Sequence, residues 1–146
     1  MDNNPYINGL DYHNGRLHIT WTYRGFVWYE GWDDPQDTKH KAQAGPNGAE
    51  NNYDICYAFS DDLGRIWKNG EGILVADLSK GESVRPDTPG IVAFSIPKSS
   101  GLTNQEAQAV DTSGGVHVLN REMLSGQLKW KHYYRAPDGK LFLFLR

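Results

Sequence analysis

Apolar and polar positions alternate with a period of two through most of the chain, in short bursts broken by polar turns. From 16 to 24, Leu17, Ile19, Trp21 and Tyr23 fall on one side, and Arg16, His18, Thr20, Thr22 and Arg24 fall on the other. This is the pattern of a strand whose two faces meet different surroundings. Residues 5–12 form a comparable run, and the intervening Asn14-Gly15 predicts a two-residue hairpin, because both types accept the left-handed backbone of such turns. Residues 53–60, a polar turn, and a strand beginning near Ile66 predict a second hairpin that extends to about Leu78. Beyond a polar link at 80–89, further runs lie at 91–97, 105–111, 116–121, 128–135 and 140–145, separated by Gly-containing turns.

The runs repeat. Leu17-His18-Ile19 returns 99 positions later as Val116-His117-Val118, and Gly64-Arg65-Ile66-Trp67 returns 75 positions later as Gly139-Lys140-Leu141-Phe142. Two copies of a four-stranded antiparallel unit are therefore expected, a first at about 5–78 and a second at 89–146. The fold class is all-β, with the units as blades of a β-propeller. Known propellers close with about four to eight blades. Two blades make a partial propeller with broad faces uncovered, so the expected partners include missing blades of the same propeller. The segment reads as part of a longer chain, and alone it is expected to dissolve poorly or to self-associate.

Composition agrees with an all-β reading: five Trp, eight Tyr and five Phe accompany sixteen Gly. A formal net charge of -3 supplies no electrostatic reason to expect nucleic acid or an anionic membrane as partner. No apolar run approaches the roughly 18–20 residues of a membrane-spanning helix, and the first residues, Met1-Asp2-Asn3-Asn4-Pro5, do not form an export signal. Cys56, the one cysteine, lies within an apolar run and is expected to be a buried, inert thiol. Neither a metal nor another cofactor is expected.

The long connection from 25 to 52 opens with Phe26, Trp28, Tyr29 and Trp32, which argues for an elaborated loop over a binding surface. Tyr6, Trp28, Tyr29 and Trp32 offer flat faces on which sugar rings can stack, and Gln105 and Glu106 could hydrogen-bond sugar hydroxyls. The alternative for these residues is packing between blades, which accounts for Trp21, Trp67 and Trp130. His18 and His117 occupy equivalent strand positions and read as repeated packing. His13, His40 and His132 read as incidental.

Ser60, Asp62, Gly64 and Trp67 stand at the spacing S-x-D-x-G-x-x-W, which resembles the Asp-box of bacterial-neuraminidase-type repeats, with Ile66 where Thr is usual. Joined with the stretches 4–10, 15–24, 52–62 and 105–111, it resembles the BNR-repeat family of seven-bladed propellers, which includes fungal and bacterial polysaccharide lyases. The nearest in character are fungal rhamnose-glucuronate lyases acting on gum arabic side chains, with ulvan lyases more distant. The resemblance implies an extracellular full-length protein that cleaves beside a uronic acid by β-elimination. Arg24 is then the candidate that neutralises the uronate carboxylate, against a salt-bridging role between blades. The acid and base, His or Tyr, are implied in preceding blades. Tyr53 stands where some relatives carry a metal-binding His, which speaks against such a site here. Two other functions stay open, a non-catalytic carbohydrate-binding propeller or inactive segment and a sialidase-like glycoside hydrolase, although no persuasive sialidase set of Arg, Tyr and Glu is present.

Overall fold

A computed structural model describes residues 3–31, 36 and 47–145. Among the described residues, ten strands form two antiparallel sheets. The first contains β1 (Asn3–His13), β2 (Arg16–Gly25), β3 (Asn52–Ser60), β4 (Ile66–Lys68) and β5 (Leu74–Asp77) in that order, with β6 (Val92–Phe94) also on β3. The second contains β7 (Ala107–Val110), β8 (Val116–Leu124), β9 (Gln127–Arg135) and β10 (Leu141–Leu145), again in chain order. The chain is thus an all-β partial propeller in which a six-stranded and a four-stranded antiparallel sheet are joined by connecting segments. In the first sheet β5 and β6 are additional to the four strands expected of one unit.

Turn chemistry sets the hairpins. Asn14 and Gly15 take φ of 46° and 84° between β1 and β2, as the mirror-image turn requires. At the β3–β4 corner, the Ser60 hydroxyl accepts from the Gly64 amide at 2.9 Å, and Asp62 Oδ1 accepts from the Ile66 amide at 2.8 Å. Gly64 sits at φ 88°, and Trp67 Nε1 donates to its carbonyl at 2.9 Å. These bonds turn the chain within a few residues and leave β4 only three residues long.

The shortness of β4 explains a departure from expectation. Residues 91–97 adjoin the start of the second unit in sequence, yet β6 pairs with β3 at Ile55↔Phe94 and Cys56↔Val92. β4 meets β3 only at Phe59↔Lys68, so the other half of that edge would otherwise be left unpaired. The segment continues the ladder on both sides of β6: the Tyr57 amide donates to Ile91 O at 2.8 Å and the Asp54 amide to Ile96 O at 3.0 Å.

The core lies between the sheets and on the outer side of the first. Ile55, Ile96, Leu102, Val118 and Tyr133 form one buried cluster, and Tyr57, Phe59 and Val116 form another. Trp21, Tyr23, Cys56, Ala58 and Ile91 form the third. Both faces of β2 are buried, including the polar one: His18, Thr20 and Thr22 are at most 4% exposed. The second sheet covers that face, a fact the alternation alone did not disclose. Cys56 is fully buried, and desolvation pushes its thiol pKa well up, as expected for an unreactive side chain.

Inner strands β1 and β7 approach each other closely. A Cβ at Gly9 would stand 2.5 Å from Gln108 Cβ, so glycine makes room for the neighbouring strand. Gln108 Nε2 then donates to Asp11 Oδ2 at 2.6 Å and to His18 O at 3.1 Å, tying the sheets together at their inner edge.

Candidate functional site

Arg24 lies next to the end of β2 on the face turned toward the second sheet, and two stretches far apart in sequence, one carrying Asn47 and Asn52 and the other Asn104, meet its guanidinium. Its Nε donates to Asn52 Oδ1 at 3.0 Å, Nη1 donates to Asn47 O at 3.3 Å, and Nη2 donates to Asn104 Oδ1. Asn52 stands directly across the ladder from Arg24, so register alone delivers the first bond. Buried Asn52 also donates from Nδ2 to Leu102 O at 2.8 Å and to Asn104 Oδ1 at 3.0 Å, which fixes the loop that carries the third acceptor. Asn47 brackets the start of the aromatic connection: its Oδ1 accepts from the Val27 amide at 2.7 Å and its Nδ2 donates to Val27 O at 2.8 Å.

The ring of Tyr6 completes the clamp, with the Arg24 guanidinium carbon 4.8 Å from its centroid. Tyr6, on β1, pairs with Thr22 of β2, one step along the same face from Arg24. Every one of these acceptors is neutral. Among the described residues, no carboxylate is bonded to Arg24, so its charge is oriented without being cancelled. One N–H remains on each terminal nitrogen, the number a carboxylate needs for two bonds.

The other expected site residues are placed as follows. Trp28 is 62% exposed and Tyr29 half-buried, both just beyond the segment that Asn47 holds. Gln105 is exposed and, like Glu106, precedes β7. Glu106 accepts from the Thr103 hydroxyl and lies 3.8 Å from Arg121 Nη2. Trp32 and His40 lie outside the described residues. Arg24 and Tyr6 are thus in contact. Sequence reading missed the three asparagines that hold the arginine: Asn52 could have been found from strand register, whereas nothing local marks Asn104, 80 residues away.

The histidines divide. His18 is 4% exposed, with Nδ1 2.9 Å from the Tyr57 hydroxyl, and burial, then the cations of Arg16 and Arg135, lower its pKa to about 4. His117 shares its strand position but not its surroundings, being one-third exposed and bonded to Asp111 and His132. His132 is therefore part of a hydrogen-bonded chain and not incidental. Trp130 is 47% exposed and packs no second sheet among the described residues. Tyr53 donates to Asn3 Oδ1 at 2.7 Å.

Fold and site together define an all-β propeller segment that presents a clamped arginine beside an aromatic connection. The chain belongs to the BNR repeat-containing family, whose model matches residues 1–142. A comparison with curated protein sequences finds no match. Among solved structures, it is similar to an ulvan lyase described as a new family of polysaccharide lyase, with 14% identity and a TM-score of 0.61 over 97% of this chain and 30% of that one. It is also similar to the polysaccharide lyase Uly1, with 17% identity and a TM-score of 0.51 over 97% of this chain and 28% of that one. At these identities the likeness establishes the fold. The chain spans about three tenths of the length of either structure.

Proposed function

We propose that this chain is a segment of a carbohydrate-active propeller that acts as a polysaccharide lyase, cleaving beside a uronic acid of the rhamnose-glucuronate type by β-elimination, with further blades of the same propeller completing the site. The observation that carries this reading is the neutral clamp on Arg24. Three amide oxygens and a tyrosine ring hold the guanidinium in place and leave its charge for a ligand. Abstraction of the proton α to a uronate carboxylate builds enolate-like charge on that carboxylate, and a cation already oriented for it lowers the barrier without reorganising. Tyr6, Trp28 and Tyr29 supply sugar-stacking surface beside it, and Gln105 and Glu106 hydrogen-bond hydroxyls. The kinship with polysaccharide lyases supports the class, and the acid and base fall to blades beyond this segment.

The test is made on the longer polypeptide, by following the ultraviolet absorbance of unsaturated uronate ends on glucuronate-bearing substrates. Arg24→Lys keeps the charge but loses the planar donor set, and is expected to lower kcat by about tenfold or more; Arg24→Ala is expected to abolish turnover. An unchanged rate in both variants sinks the assignment. A second reading, a non-catalytic uronate-binding propeller, draws on the same clamped cation, which would hold a carboxylate whether or not chemistry follows. It predicts binding that Arg24→Ala removes, with no unsaturated product from the parent protein.

A further inference from the structure

A second arginine is held as Arg24 is, farther along the seam between the two sheets. Arg135 closes β9, and its Nη2 donates to Gly70 O at 2.7 Å while its Nη1 donates to Ala136 O at 3.3 Å. Its guanidinium carbon stands 4.4 Å from the centroid of the buried Tyr57 ring. Both acceptors are neutral carbonyl oxygens, and among the described residues no carboxylate is bonded to Arg135. Nε–H and one N–H on each terminal nitrogen are therefore left for a ligand. The uncancelled charge is felt inside the fold. After burial and the Arg16 cation, Arg135 is the next cause lowering the pKa of His18, whose Nδ1 lies 2.9 Å from the Tyr57 hydroxyl.

Arg135 lines a cleft of about 590 Å³ between the sheets, walled by the β4–β5 turn at Gly70 and Glu71, by residues 90–93 and by the β9–β10 turn from Asp138 to Leu141. That volume lies within the range of small-ligand sites. Glycine keeps the arginine uncovered on two sides. A Cβ at Gly70 would stand 3.4 Å from Arg135 Nε and Nη2, and one at Gly139 would stand 3.6 Å from Nη2, so a longer side chain at Gly70 would lie over the guanidinium. Tyr57 is five residues along β3 from Asn52, the ladder partner of Arg24, a separation of roughly 16 Å. One sugar ring cannot span both arginines.

We propose that this cleft is a second saccharide site, which binds one uronic acid residue with its carboxylate forked on Arg135. The site rests on the carbohydrate-active reading above and lies apart from the arginine assigned to the chemistry. The other charges of the cleft select the ligand. Lys140 Nζ is taken by Asp138 Oδ2 at 2.7 Å, and Glu71 is exposed and forms no ion pair among the described residues. Two carboxylates beside one free cation repel a multiply charged anion such as phosphate, yet they accept hydrogen bonds from hydroxyls. A uronate offers that combination, a single planar charge matching the guanidinium and several hydroxyl donors around it. Val92 and Leu141, 42% and 46% exposed, give the C–H face of a sugar ring an apolar edge.

Ligand-observed NMR titration of the longer polypeptide with methyl β-glucuronoside tests this, in an Arg24→Ala background so that the first arginine does not contribute. Binding is expected with a Kd on the order of 1 mM, the strength of one charge-assisted fork and a few neutral hydrogen bonds. Arg135→Gln should weaken it by about tenfold or more, because a charged hydrogen-bonded pair is lost. Gly70→Leu keeps the arginine and covers it, and should weaken binding to the same degree, which separates the site from the part Arg135 plays in joining the sheets. Methyl β-glucoside, which lacks the carboxylate, and inorganic phosphate should each bind about tenfold less tightly or worse. A parent that binds no glucuronoside overturns the proposal, as does binding that survives either substitution, or a glucoside or phosphate that binds as tightly. Turnover is not read and Arg24 is absent, so failure of the lyase assignment and failure of this site are separate results.

Discussion

His18 should make folding stability fall between neutral pH and about pH 4. In the folded protein its pKa is lowered from 6.5 to about 4, first by burial and then by the cations of Arg16 and Arg135. The unfolded chain therefore binds a proton over this window that the folded chain refuses. Stability is fully present above 6.5, is lost as pH falls from there toward 4, and levels off below. A separation of about 2.5 pH units at about 1.4 kcal/mol each amounts to roughly 3 kcal/mol. That is a large share of the 5–15 kcal/mol typical of a domain. Lowered carboxylates such as Asp61 and Asp62 act below the usual 3.8 and stay outside the window. The assay is urea unfolding followed by tryptophan fluorescence at pH 7.5, 6.5, 5.5 and 4.5, at concentrations where the chain is monomeric. His18→Gln keeps a polar partner for the Tyr57 hydroxyl and removes the titration, so the difference between the two proteins should narrow steadily with acid. Equal pH slopes in parent and variant would refute the reasoning.

Two further changes probe the frame. Ser60→Ala removes the fully buried hydroxyl that accepts from the Gly64 amide, and should cost about 1–3 kcal/mol by leaving that donor unmet, read as a lower urea midpoint with an unchanged m-value. Gly9→Ala places a methyl group 2.5 Å from Gln108 Cβ, and should cost about 1–3 kcal/mol while loosening the two sheets at their inner edge, visible as faster amide exchange in β1 and β7. If that glycine tolerates alanine without loss, the close approach of the inner strands is misjudged.

Much of the fold was legible in the chain because a strand writes itself locally. Alternation of period two marked β1 and β2, short apolar runs between polar turns marked β3, β8 and β9, and Asn14-Gly15 named its turn, since side-chain direction and left-handed φ depend on neighbours one or two residues away. The repeat of Leu17-His18-Ile19 at Val116-His117-Val118 predicted that the strands form two like units. Arg24, at the end of a strand, was singled out by the family resemblance and not by any local pattern. By contrast, the destination of residues 91–97 depended on how short β4 turned out to be, which no local signal reports.

What the sequence by itself determined was therefore the class of structure, the strands and the turns, because these follow from short-range geometry. Only the tertiary structure decided which faces are covered. It buried the polar side of β2 under the second sheet, and it gave His18 and His117, identical in local pattern, opposite surroundings. It also brought Asn104 across 80 positions to the guanidinium of Arg24. Burial and long-range hydrogen bonds are properties of packed neighbours, and those neighbours exist only once the two sheets have met.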